Sequence, residues 1–425
     1  MFFYRLLSST ALLAYSPYAL LRALLGRRRL GDLPGRLGWR SFPDLSGGVW
    51  IHAVSVGEVG VARSLLSAFA GKAPGRPMGL SATTAAGRKL AQSLASEAVP
   101  VFAFPLDLRG PVERALSGVR PGLVLLTETE IWPLFLERAA ARGIPVALVN
   151  GRVSPRSFAR YFLVRRWLAA SLGRVALFAM QSPEDAERIV ALGVPPERVR
   201  MTGNLKYDTP EAPPFLDAAR LRAAAAGRPV FVAASTAQGE EEIVLRAWRN
   251  LDPRPFLVLA PRRPERFDAV AALIERSGFS VLRRSSPDDC RPSTVDSVYL
   301  LDSIGELASV YREARVALIG GSFVRRGGHN PIEAWAAGVP VLAGPHTENF
   351  RQIMADGQER GFARRVESKR ALARQLTSLL DAEGGATEAG ERARRFVAAN
   401  RGAAGRTVEL LLPLLEPRAR RRAVP

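Results

Sequence analysis

From residue 48 onward, short apolar runs alternate with longer stretches whose apolar residues recur at helical spacing. VWIHAVS reads as a buried strand and VGEVGVARSLLSAFA as the helix after it. MGLSAT leads into the helical TAAGRKLAQSLASEA, and VPVFAFPLD leads into another helix. GLVLLTETEIWP, IPVALVNGRVS, VALFAMQS with the helical PEDAERIVALG, and VRMTGNLKYD continue the alternation. TPEAPPFL, residues 209–216, carries three prolines and reads as a linker. A second series follows: a helix over 217–226, then PVFVAAST, the acid-opened helix AQGEEEIVLRAWRN, PFLVLAPRRPERF and VYLLDSIGELASVYREA. Strands that alternate with helices predict parallel sheets covered on both faces, and 425 residues suffice for two cores of ordinary size. The predicted boundaries are 31–208 for the first domain, 217–385 for the second and 386–425 for a helical basic tail, solvated or membrane-facing.

The first 30 residues break this pattern. Residues 6–21 carry no charge, but the run is shorter than the roughly 20 residues a spanning helix needs, and Pro17 interrupts it. It predicts a borderline span or an interfacial helix. Arg22, Arg27, Arg28 and Arg29 follow at once, which places the rest of the chain in the cytoplasm. A cleaved signal peptide fits less well, because the basic cluster lies after the apolar run.

Charge narrows the partners. A net charge of +20 and an isoelectric point near 11.2 call for an anionic partner or surface. Nearly all of the positive charge is arginine, which suits phosphates in phospholipids, phosphorylated glycolipids or nucleic acid. The single cysteine, Cys290, excludes an internal disulfide and a cysteine-rich metal site.

Candidate chemistry concentrates at strand ends. Glu58 sits between a strand and a helix, where open α/β sheets place ligand crevices, although an acid there also serves as a dipole partner. Glu128 and Glu130 close an apolar strand and share one face if that strand continues. Lys206 offers an ammonium against developing negative charge, and Arg262, behind Pro261, a guanidinium for two phosphate oxygens; a structural salt bridge or a solvated basic loop are the plainer readings. In VALIGGSFVRRGGHNPIEAWAAGVPVLAGPHTENF, a strand over Val316–Ile319 runs into a glycine-rich loop, a helix opening at Asn330 and a strand over 339–343. Asn330 is an N-cap candidate, Pro331 suits the first helical position and Glu333 a capping box. Such a loop presents free N–H groups to a phosphate, unless the glycines only make tight turns. Arg325, Arg326, His329 and His346 favour the functional reading.

That last run resembles the donor-site signature of bacterial 3-deoxy-D-manno-octulosonic acid (Kdo) transferases, as do HAVSVGEV, TETEIWP, TGNLKYD and APRRPERF in the same order. The resemblance implies an α/β chain of two Rossmann-like domains facing across a cleft, the glycosyltransferase B-type fold, with an N-terminal membrane anchor. It implies transfer of Kdo from CMP-Kdo to a lipid A precursor on the cytoplasmic side of the inner membrane, among anionic lipids and without nucleic acid. Glu58 would be the general base, with Glu128 and Lys206 stabilising the transition state. Pro261, Arg262, the turn Gly305, Glu306 and Leu307, and the run Asn330, Pro331, Ile332 and Glu333 would hold the nucleotide. The sequence departs from the family where Ala237 and Arg263 replace histidines; at the first, Ser235, Thr236 and the loop backbone remain as donor contacts. A single displacement at the anomeric carbon predicts inversion, and with no Asp-x-Asp motif present a reaction with neither metal nor cofactor is expected. Another envelope glycosyltransferase using a UDP-sugar, and a non-enzymatic basic protein on membrane or nucleic acid, are the alternatives.

Overall fold

The central strands of this chain, such as Leu123–Thr127 and Val316–Ile319, are buried on both faces because they are sandwiched. In the computed structural model, which describes residues 33–96, 98–209, 211–286, 294–381 and 385–416, the chain divides into two units. One takes Met1–Asp208 and Asn400–Pro425, the other Thr209–Ala399. The segment expected to anchor the chain, 1–30, lies outside the described residues; among those described, no helix is long and apolar enough to cross a membrane.

The first unit contains β1 (Val49–Ala53), β2 (Met78–Ala82), β3 (Val101–Phe102), β4 (Leu123–Thr127), β5 (Val146–Gly151), β6 (Leu177–Met180) and β7 (Val199–Met201). They form a parallel sheet in the order β3-β2-β1-β4-β5-β6-β7. Alternation puts Val49, Ile51 and Ala53 of β1 into one core and Trp50 into the other. The chain leaves β1 toward β2 and β3, then returns to place β4 on β1's other side. The pair β1/β4 is therefore the point at which strand order reverses, where such sheets bind ligands. Three helices of this unit matter below: α1 (Val56–Lys72), α2 (Pro155–Leu163) and α3 (Arg165–Leu172).

The second unit repeats the plan with β8 (Val230–Thr236), β9 (Phe256–Pro261), β10 (Ser280–Arg283), β11 (Ser297–Leu300), β12 (Val316–Ile319), β13 (Val341–Ala343) and β14 (Ala363–Arg365) in the order β10-β11-β9-β8-β12-β13-β14. Its reversal lies between β8 and β12. The relevant helices are α4 (Glu240–Trp248), α5 (Leu307–Val310), α6 (Ile332–Ala336) and α7 (Gly385–Asn400).

The stretch expected to be a basic tail is instead divided between the two cores. Residues Ala386, Ala389 and Ala393 of α7 are buried in the second unit. The chain then returns to the first, where α8 (Ala403–Leu411) buries Ala403, Ala404, Val408 and Leu411 against β1 and α1. Asp208 fastens that return, its carboxylate accepting the N–H groups of Gly402 and Ala404 at 2.5 Å each. The arginines of the segment hid its apolar stripe, which recurs at helical spacing. Residues 417–425 lie outside the described residues.

Candidate active site

In a parallel sheet all strand-to-helix loops emerge along one edge, so residues far apart in sequence meet there. Glu58 occupies the first turn of α1, directly after β1, and is only 6% exposed. Its Oε1 accepts the Ser55 hydroxyl at 2.9 Å, and its Oε2 accepts the Val54 N–H at 2.9 Å. The Thr127 hydroxyl, at the end of β4, lies 2.7 Å from Oε2 and 2.9 Å from the His52 carbonyl.

Two of these partners are hydroxyls, which accept as well as donate. A neutral Glu58 can give its proton to Thr127 Oγ1 while Thr127 turns its own toward His52. The site therefore has places for both the carboxylate and the acid, as a general base requires.

The strand ending in Glu128 does not continue. Glu128 takes φ +56°, in the left-handed region, so Glu128 and Glu130 sit in a turn and not on one strand face. The turn delivers Glu128 to Lys206, whose ammonium donates to Oε1 at 2.7 Å. Lys206 is presented by a short 3₁₀ turn, Leu205–Tyr207, held because buried Asn150 accepts the Leu205 N–H at 3.0 Å. Glu130 remains. Burial, then the charges of Glu58 and Glu128, raise its pKa to about 7. Nothing adjacent to Glu130 in the sequence assigns it a role; its signal is the like-charge cluster, visible only in three dimensions.

His52, in the same motif, is fully buried and stacked on Phe104 with ring centroids 3.7 Å apart. Burial lowers its pKa to about 3, so it is a neutral packing residue.

In the second unit the glycine-rich loop follows β12. Gly320 has to be glycine, since a Cβ there would stand 2.5 Å from the Ser235 carbonyl oxygen. The first part of the loop is not an open phosphate cradle. Buried Glu240, opening α4, accepts N–H groups from Gly321 at 2.6 Å, Ser322 at 2.9 Å, Phe323 at 2.8 Å and its own neighbour Ala237 at 2.8 Å. An internal carboxylate fills the nest, and no local pattern links an acid to a loop some 80 residues later. Its neighbour Glu241 is equally engaged, accepting from Thr236 at 2.8 Å and holding Arg266 in a two-point ion pair at 2.7 and 2.9 Å. The Thr236 hydroxyl, expected to be open to the donor, is therefore bonded internally.

The helix expected to open at Asn330 is the five-residue α6, starting at Ile332. Pro331, expected at the first helical position, is the N-cap, and Asn330, one residue before it, accepts the Ile332 N–H at 3.1 Å, with Glu333 in the first turn. So short a helix supplies little dipole. Positive charge comes from side chains instead. Arg262 and Arg326 both lie near enough to half-buried His329 for their charges, after burial, to help lower its pKa to about 4. Arg262, exposed just past Pro261, is positioned by its own N–H bond to the Thr236 carbonyl, 3.0 Å. Gly305 takes φ +89° ahead of Glu306 and Leu307, where α5 starts. The Glu306 carboxylate pairs with Arg284 at 2.9 Å. Ala237 is buried, and Arg263 is exposed beside Arg262.

Comparison with known proteins matches these halves separately. Residues 27–209 match the family model described as 3-deoxy-D-manno-octulosonic-acid transferase (kdotransferase), and 295–396 match glycosyl transferases group 1. A 3-deoxy-D-manno-octulosonic acid transferase of Haemophilus influenzae is 35% identical over 92% of each chain. The chain belongs to the 3-deoxy-D-manno-octulosonic acid transferases. A Kdo transferase of Bordetella pertussis is 37% identical over 89% of this chain and 90% of its own. The crystal structure of the glycotransferase of kitacinnamycin covers 87% of this chain and 99% of its own at 16% identity, TM-score 0.54, and shares the B-type glycosyltransferase fold. This Kdo transferase is thus a glycosyltransferase built from two parallel-sheet α/β units.

Proposed function

We propose that the enzyme transfers Kdo from CMP-Kdo to a lipid A precursor, a tetraacylated disaccharide, in lipopolysaccharide synthesis at the cytoplasmic face of the inner membrane. Glu58 accepts the proton of the primary glucosamine hydroxyl as that oxygen attacks the anomeric carbon. The bond to CMP breaks on the opposite face, so the anomeric configuration inverts. Lys206, held by Glu128, stabilises negative charge near the reacting centre. Arg262 and Arg326 hold the phosphate of CMP, with the backbone at Gly305 and Leu307 and the run Asn330, Pro331, Ile332 and Glu333 holding the nucleoside. With arginines supplying the neutralisation, the reaction needs no metal or cofactor, and it proceeds undiminished after chelation.

The observation that carries the reading is the shell around Glu58, whose hydroxyl partners accommodate the carboxylate and the acid. Mass spectrometry of the acceptor after incubation with fresh CMP-Kdo tests it. Wild type adds Kdo, and Glu58→Gln, still folded and still binding CMP, adds almost none. Full activity in that variant would mean that Glu58 is a structural cap.

A further inference from the structure

The first unit exposes a surface that its own core does not use. Of the apolar residues on α2 and α3, Phe158, Tyr161, Leu168 and Leu172 pack on the core. Phe162, Leu163, Val164 and Trp167 do not: they are 41%, 85%, 49% and 74% exposed, and every residue of 162–167 is exposed. No residue of α2 is buried.

Along the segment itself the charge has one sign. Residues 152–174 contain six arginines and no acid. Arg165 lies 4.0 Å over the Phe162 ring, so cation and apolar face are interleaved. Exposed aromatic and aliphatic groups interleaved with arginine, on two short helices that turn these residues away from the core, match the interface of an anionic bilayer: rings sit at headgroup depth and guanidinium groups meet lipid phosphates. A protein or second-copy interface would more commonly carry both charge signs, and here one is missing.

The surface also adjoins the catalytic edge. α2 begins four residues after β5 ends, on the edge that carries Glu58 and Glu128. Thr129, between Glu128 and Glu130, donates its hydroxyl to the carbonyl of Arg152, three residues before α2.

We propose that the exposed face of α2 and α3 docks on anionic phospholipid, bringing the acid-bearing edge of the first unit to the membrane surface. The proposal rests on the membrane location given above and adds the surface responsible. It is independent of residues 1–30, which are themselves apolar and basic.

The experiment reads this patch alone. The full chain carries Leu163→Cys with Cys290→Ser, labelled at residue 163 with an environment-sensitive fluorophore, and is mixed with vesicles of phosphatidylglycerol or of phosphatidylcholine. A blue shift with phosphatidylglycerol and little with phosphatidylcholine is expected, and Arg165→Gln with Arg166→Gln should remove most of it. Three results overturn the proposal: no shift although the protein sediments with the vesicles, an equal shift with both lipids, or a shift that follows protein concentration without lipid, which signals self-association. Kdo transfer to detergent-dispersed acceptor separates the two readings. Its loss in wild type counts against the proposed reaction, while its persistence alongside an unshifted probe counts against this surface alone.

Discussion

Glu58 and Glu240 occupy the same place in the two units and do different work. Each opens the helix after a central strand, β1 or β8, beside the point where strand order reverses, and each is buried. Glu58 accepts from one backbone N–H and two hydroxyls, Glu240 from four backbone N–H groups. A hydroxyl reverses its role when a proton arrives, and an N–H does not. The same local placement therefore yields a carboxylate whose shell has room for a proton in one unit and a fixed internal anion that shapes a loop in the other. A helix-opening acid at a strand end is not catalytic by position; its partners decide.

The sharpest way to break this comparison is to mutate both. Glu58→Gln should lower turnover about a thousandfold with little change in melting temperature. Glu240→Ala strands buried N–H groups and should cost about 3 to 4 kcal/mol of stability in the second unit, with CMP binding lost alongside, measured by chemical denaturation and calorimetry. If Glu58→Gln unfolds as readily as Glu240→Ala, the distinction fails.

Lys206→Met tests whether the first unit's edge is electrostatically organised for transfer. Turnover should drop about a hundredfold while CMP affinity stays within twofold, roughly the loss seen when one preorganised donor is removed. A comparable fall in CMP affinity would place Lys206 in binding instead of catalysis. Arg262→Gln should do the reverse, weakening CMP binding roughly tenfold or more by removing a charge-assisted contact, read by titration calorimetry.

The smallest effect concerns Glu130. A carboxyl raised to about 7 in the folded state, from an ordinary 4.5, makes the native protein hold more protons than the unfolded chain between those values. Stability then falls as pH rises through that window, and Glu130→Gln abolishes this part of the fall. The melting temperature of the variant relative to wild type should be higher at pH 8 than at pH 5. An unchanged difference would remove Glu130 from the charge cluster.

The two α/β series and their junction near residue 208 were legible along the chain, because strands covered on both faces leave unbroken apolar runs with helical periods between them. So was the placement of Glu58, Glu128, Lys206 and Arg262 past the carboxyl ends of strands. The Asn330 cap was legible to within one residue, since a cap is set by neighbours two positions away. Less visible were the shortness of α6, and the end of β4 at Thr127, which the positive φ of Glu128 enforces.

What the sequence by itself determined is thus what depends on period and adjacency: the alternation of elements, the caps, and the residues that must emerge along the ligand-bearing edges. Tertiary structure decided which of those groups were already in use. Only folding could seat Glu240 in the glycine loop, pair Glu128 with Lys206, surround Glu130 with like charges and send α8 back into the first core. Apart from Glu128 beside Glu130, each joins residues dozens to hundreds of positions apart. Hydrogen bonds and Coulomb forces act over ångströms in space, and sequence separation leaves no mark on them.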